Sequence, residues 1–296
     1  MRTIAIAMTL GVAVGCTPSN VAFQHESTLY DETRGLVFEN DGTAQGGMVG
    51  NTCAIDVDNA WIGQDVDVAE SDDQVEDAFD GVVLVRGTDG LHIYQPDDYG
   101  WDWNYDPTVP GGDIVDGALV DSGIVAVRDT PEGVSVDWSG DVQAQQTVAG
   151  GNLSDMSVDR STGTVFVVSD GTVNSVSPDG SISVDSGDMA VWDAGAQVLY
   201  VADAGGSELR GIEADGGVRF ATPLDGTVAS LESLNGQAVV STANGSGGSL
   251  VIIDGYTGDI MSQQVTPGAA ESLESSETGR TLAVVLDRQV HFFRVR

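Results

Sequence analysis

The stretch VLYVADAGGSELRGIEADGG, residues 198–217, decides how this chain is read. Its carboxylates, Asp203, Glu208, Glu213 and Asp215, sit among glycines as they would in a metal loop or a phosphate cradle. The same residues also suit a strand, a turn and a second strand, so the choice turns on whether the pattern recurs. It does. A strand-like apolar segment ending in Asp, Gly or a small residue appears as VVLVRG at 82, IVAVRD at 124, VFVVSD at 165, VLYVAD at 198, AVVSTA at 238 and LAVVLD at 282.

The intervals are 42, 41, 33, 40 and 44 residues, with a mean of 40. That period between β-rich units is the signature of propeller blades, each a four-stranded sheet. The flanks supply the other strands. LSDMSVDRSTG and SGDMAVWDAGA each read as a short strand with a Gly-bearing turn, while GTVNSVSPDGSISVDS and SELRGIEADGGVRFATP each read as strand, Asp-Gly turn, strand. No apolar period of 3.6 residues is long enough for a substantial helix. The expected fold is all-β, a single propeller of about six four-stranded blades at 75–111, 112–150, 151–187, 188–225, 226–267 and 268–296. The last copy is one strand short. Strand-like pieces GLVFEN and CAIDVD within 29–74 either complete it, closing the ring and removing a sheet edge, or form a seventh, irregular blade.

VLYVADAGGSELRGIEADGGV resembles the repeat of the NHL and YVTN propeller families, in which a strand ending in Asp leads to a turn and a second strand. VIIDGYTGDIMSQQ at 251–264 is similar to the repeat of quinoprotein-like propellers, without their characteristic Trp. The resemblance covers about residue 75 to the C-terminus. It implies a fold and leaves the function open, because propellers host enzymes, sensors and scaffolds alike.

The N-terminus reads as an address. One Arg precedes an apolar run at 4–14, too short to span a bilayer and of the length of a signal h-region, so 1–15 is set apart from the fold. AVGC at 13–16 resembles the lipobox of bacterial lipoproteins, with Ala13 where that pattern most often has Leu. The resemblance implies a lipidated Cys16 as the mature N-terminus, a tether over 16–28, and an exported protein held at the bacterial cell envelope through its lipid alone. The alternative is an ordinary secretory signal with an incidental Cys. With Cys16 acylated, Cys53 has no partner, so neither a disulfide framework nor a Cys-rich metal site is expected.

Charge narrows the partners. Forty-six Asp and Glu face eleven basic residues, every one an Arg, giving a formal net charge of −35. Such a field repels nucleic-acid phosphates and anionic lipid head groups. It leaves a solvated acidic coat, or a surface that attracts cations or a basic partner. A monomer is expected, with an envelope protein or a small ligand as its partner.

Catalytic residues are sparse. His25, His92 and His291 lie far apart, and His92 and His291 occupy matching strands, LHIY and VHFF, which suits a structural role. There is no Lys and no G-x-S-x-G elbow. AGG at 149–151 and NGSGGS at 244–249 neither open helices nor precede a Lys, so they read as turns. DVDNAWIGQDVD at 56–67 lacks the Gly and Glu of an EF-hand loop.

Two groups survive as candidate sites. Alignment on the repeated strand puts a carboxylate at the start of the preceding strand in most copies: Asp77, Asp116, Asp155, Asp188 and Glu271, with Ser230 in the fifth. These residues would ring a channel mouth and suit Ca2+, or they are merely solvated strand ends. Trp101, Trp103 and Tyr105 alternate onto one face and suit a binding surface, or an outer strand packed between blades. The expected function is a non-catalytic binding or scaffolding module. The alternative is a calcium-dependent, lactonase-like hydrolase in which channel carboxylates hold the metal. An accessory role in assembling envelope machinery rests on the quinoprotein-like resemblance alone.

Overall fold

The computed structural model describes residues 23–30, 37–40, 46–49, 54–56, 61–62, 74–79, 82–97, 100–103, 108–245, 247–275, 281–286 and 289–295. These residues form only strands and the turns between them, as the sequence predicts. The signal segment, Cys16, Cys53 and Tyr105 lie outside them.

Seven antiparallel sheets are present among the described residues. The first consists of β2 (Val37–Asn40), β3 (Gly46–Val49), β4 (Ala54–Asp56) and β5 (Trp61–Ile62). In the second, β6 (Gln74–Phe79), β7 (Val82–Gly87) and β8 (Gly90–Asp97) pair in order, and β9 (Gly100–Trp103) and β10 (Val109–Pro110) share the far edge of β8. Next come β11 (Ile114–Val120), β12 (Gly123–Thr130), β13 (Gly133–Gly140) and β14 (Ala144–Val148). They are followed by β15 (Leu153–Asp159), β16 (Thr164–Ser169), β17 (Thr172–Ser177) and β18 (Gly180–Ser186). The fifth sheet holds β19 (Met189–Asp193), β20 (Val198–Ala202), β21 (Glu208–Ile212) and β22 (Val218–Pro223). The sixth holds β23 (Thr227–Ser233), β24 (Gln237–Asn244), β25 (Gly247–Asp254) and β26 (Ile260–Thr266). In the seventh, β27 (Ser272–Ser275), β28 (Thr281–Leu286) and β29 (Gln289–Val295) are joined by β1 (Phe23–Tyr30), which pairs antiparallel with β29 from Phe23–Val295 to Tyr30–Gln289.

All six repeated segments are second strands: β7, β12, β16, β20, β24 and β28. Their continuous apolar character follows from burial on both faces, which removes any reason to alternate. In β16, Val165 and Val167 pack with Val125, Val127 and Trp138 of the preceding sheet. Phe166 and Val168 turn the other way and pack with Trp192, Leu199 and Val201 of the following one. The remaining clusters lie likewise between successive sheets, so the core is divided into slabs. The β16–β17 hairpin turns on Asp170 and Gly171, both at positive φ, the geometry that matches the twist of its flanking strands.

The N-terminal region does two things where the sequence offered a choice. A strand from it completes the seventh sheet, and 37–62 also makes a sheet of its own. The completing strand starts at Phe23, inside the stretch expected to be tether, and His25 lies in it.

First strands follow one another in space. β2 touches β6, β6 touches β11, and the succession continues through β15, β19, β23 and β27 back to β2. Residues of β6, β11, β15, β19, β23 and β27 line a cavity of about 1000 Å³.

One buried group holds a turn between two sheets together. The Asp193 carboxylate, 2% exposed, accepts hydrogen bonds from the backbone N–H of Gly195 (2.7 Å), Ala196 (3.0 Å) and Gly236 (2.8 Å) and from the Tyr200 hydroxyl (3.0 Å). Removing it leaves three buried donors, those of Ala196, Gly236 and Tyr200, unmet. Asp193→Ala is expected to cost about 3–5 kcal/mol in urea unfolding, against less than about 0.5 kcal/mol for Asp215→Ala on an exposed turn.

Candidate functional site

All five carboxylates singled out in the sequence, Asp77, Asp116, Asp155, Asp188 and Glu271, line the one channel. A local device places the first three. β6, β11, β15 and β23 each carry a bulge, and the residue just past the extra one is Asp77, Asp116, Asp155 and Ser230 respectively. A bulge bends its strand and re-aims the side chain that follows. β19 and β27 have regular register, and Asp188 and Glu271 stand exposed immediately before them.

The three bulge carboxylates have different partners. Asp77 is 8% exposed and receives both Nη1 (2.6 Å) and Nη2 (2.7 Å) of Arg160, and the Leu119 N–H at 2.8 Å. The same guanidinium donates to the Leu119 carbonyl and lies 4.8 Å from the centre of the Phe79 ring, so it joins three sheets. Asp155 accepts the N–H of Met156 at 3.0 Å and, from the next sheet, that of Ala190 at 2.8 Å. Asp116 accepts the Gly117 N–H at 2.7 Å, and its carboxylate neighbour is Glu76, which is itself paired with Arg86. At the mouth, Asp188 accepts the Ala204 N–H at 3.0 Å.

Further carboxylates line the same channel, among them Glu232 of β23 and Glu274 of β27. Glu232 stands two positions past the aligned Ser230, and period-two alternation from that position was the signal that could have found it. Glu274 stands three positions past the aligned Glu271, out of step with that alternation.

Water reaches these groups from the channel, yet protein encloses them on the remaining sides, so their charged forms lose solvation. Burial pushes Asp155 up to about 6, against the lowering by its two N–H donors. Burial likewise pushes Glu232 up to about 7, against donors from Ser233 and Ser275. Asp116 is raised well above the carboxylate range by burial and then by Glu76. Glu274 is raised in the same way by burial, then by Glu232 and Asp77.

The calcium expectation needs several of these oxygens on one point. Among the described residues no three His, Cys, Asp or Glu side chains gather closely enough to hold a metal ion. The channel collects the carboxylates and spreads them along its wall.

The aromatic candidates have a simpler setting. Trp101 and Trp103 lie in β9, an outer strand, opposite Pro96 and Tyr94 of β8. His92 is buried in β8, with its Nε2 2.7 Å from Asp89 Oδ1, and His291 is in β29, the matching third strand.

No family model matches the sequence, and no match is found among curated proteins. In fold, the chain is similar to a chain of the structure titled "Crystal Structure of Mitotic Checkpoint Complex". The TM-score is 0.65 at 11% identity, over 99% of this chain and 99% of that one. That neighbour is a β-propeller, and the likeness is one of fold.

Two outcomes follow from the channel. Arg160→Met strands Asp77 without its counter-charge and is expected to cost about 3 kcal/mol by chemical denaturation. The second concerns pH. Asp155 and Glu232 keep their protons in the folded chain at pH values where the unfolded chain has lost them, so folding takes up protons. Their contribution to stability therefore falls as pH rises from about 4 to about 7 and levels off above. The melting temperature should drop across that window, and Asp155→Asn with Glu232→Gln should flatten the drop. An unchanged slope in the double variant would refute the assignment to this pair.

Proposed function

We propose that this chain is a seven-bladed propeller lipoprotein, its ring closed between β1 and β29, that works as a non-catalytic binding module. It is acylated at Cys16, held at the bacterial envelope, and engages a basic protein partner through its acidic surface.

One observation carries the partner's chemistry. Every arginine whose side-chain setting is described is committed to carboxylates of the protein itself. Arg86 pairs with Glu76, Arg128 with Asp113 and Asp137, and Arg160 with Asp77. Arg210 pairs with Asp185, and Arg219 with Glu213. These five cations are used inside the fold, and the carboxylate excess of the chain steers a basic partner inward and repels polyanions. Likeness to a propeller from a multi-protein complex supports a role in protein association.

The hydrolase reading has one point in its favour, the collection of carboxylates in a single channel. One experiment separates the two. A photo-crosslinking residue is placed at Ile182 or Val218, both exposed on outer strands, in the membrane-bound protein. The binding module gives a discrete protein adduct that fades as salt rises toward about 0.5 M, where exposed charges are screened. The Cys16→Ser protein leaves the membrane fraction. Absence of any adduct, together with calcium-dependent lactone hydrolysis, would overturn the proposal.

A further inference from the structure

The chain contains two Asn-Gly pairs, Asn235-Gly236 and Asn244-Gly245, and the fold puts them in opposite settings. An Asn followed by Gly is where a chain is least hindered from reacting with itself. The backbone nitrogen of the Gly loses its proton and attacks the side-chain carbon Cγ of the Asn, and ammonia leaves. Water then opens the cyclic imide at either carbonyl, giving Asp or isoAsp. The sum is amide plus water to carboxyl plus ammonia, with no oxidant or cofactor. Two conditions follow: the Gly nitrogen must be free of a hydrogen bond, and the ring must have room.

The first pair fails the first condition. Asn235 and Gly236 turn the corner from β23 to β24, both at positive φ (46° and 89°). Gly236 is buried, and its N–H donates to the Asp193 carboxylate at 2.8 Å. A negative charge lies against the nitrogen that would have to give up its proton, so hydrogen bond and charge both oppose the reaction.

The second pair meets both conditions. Asn244 ends β24, Gly245 begins the turn to β25, and both are exposed. Neither the Gly245 N–H nor the Asn244 side-chain amide has a hydrogen bond among the described residues. Apart from its chain neighbours, no described atom lies within 4 Å of where a Cβ on Gly245 would stand. Its φ of 61° is in the left-handed region that favours glycine. The residue that the turn requires is thus also the one that leaves the Asn244 amide uncovered.

We propose that Asn244 is a site of spontaneous modification, at which the Gly245 nitrogen displaces ammonia from Cγ and water opens the imide to Asp and isoAsp. The turn gains a negative charge in a chain already at −35. The isoaspartyl form also lengthens the backbone by a carbon where the ladder pairs residue 244 with Gly247. This end of β24 is tied to the connection that leads into β23. Thr242 Oγ1 donates to the Asp225 carbonyl at 3.3 Å and Thr227 Oγ1 to the Ala243 carbonyl at 3.5 Å. Charge and backbone length therefore change beside Asp225 as the molecule ages. The inference holds whether or not the chain is membrane-held or binds a protein.

The full chain, kept folded in mildly alkaline buffer and sampled over weeks, tests this by peptide mapping with separation of Asp and isoAsp forms. Residue 244 is expected to convert to both products, with ammonia released in equal amount. Residue 235 is expected to convert at least about tenfold more slowly, because its reaction must break a hydrogen bond to a charged group. In urea, which frees Gly236, the two rates converge. Asn244→Gln removes the early acidic species from ion exchange and leaves the rate at residue 235 unchanged. Three results overturn the proposal: no conversion at residue 244 in the folded chain, conversion there no faster than at residue 235, or Asp without isoAsp, the mark of direct hydrolysis.

Discussion

The fold depends on how the bare edge of each first strand is satisfied. A first strand is hydrogen bonded on one side only, so its other edge carries backbone N–H groups that need acceptors. Oxygens from the preceding sheet provide them. Asp77 takes the N–H of Leu119, Asp129 that of Leu153, Asp155 that of Ala190, and Ser157 that of Trp192. Asp193 takes the N–H of Gly236, in the turn that follows β23, and Ser241 that of Ala270, just before β27. Every junction from the second sheet to the seventh thus carries a bond from a side-chain oxygen to a backbone N–H on or beside the next first strand. The apolar slabs supply most of the attraction between sheets, but they are non-directional. These short, directional bonds set how far each sheet is rotated from the last.

The same seam accounts for the acidic composition near the axis. Asp and Ser are short enough to reach a neighbour's backbone without filling the channel, and an ionised acceptor makes a stronger bond than a neutral one. The cost is charge collected in a confined space. Two arginines relieve part of it, and burial raises Asp116, Asp155, Glu232 and Glu274 toward their neutral forms. The channel therefore contains carboxylates that build the fold and carboxylates that are spare. Glu274, which no described donor reaches, is the clearest of the second kind.

Much of this was legible in the residues. Second strands buried on both faces leave continuous apolar runs, and six such runs at regular spacing gave the repeat. The first sheet escaped the count for a physical reason: its second strand, β3, is GGMV, too short and too rich in glycine to leave such a run. The aligned position falls just past a bulge at Asp77, Asp116, Asp155 and Ser230, and lies before a strand of regular register at Asp188 and Glu271. Their pairing with Arg160 or with a neighbour's backbone was not legible, because those contacts join residues 35 to 83 positions apart. In 198–217, the stretch that opened the question, Asp203 meets Arg210 and Asp215 accepts the Gly217 N–H within its own turn, as a hairpin requires.

Amide hydrogen exchange, read residue by residue, tests the seam most directly. The account predicts that the N–H groups of Leu119, Ala190 and Gly236 are protected in the native chain. It also predicts that Asp155→Ala releases Ala190 while Leu119 and Gly236 keep their protection. Exchange of Ala190 at an unprotected rate in the native chain, or protection that survives Asp155→Ala, would contradict it.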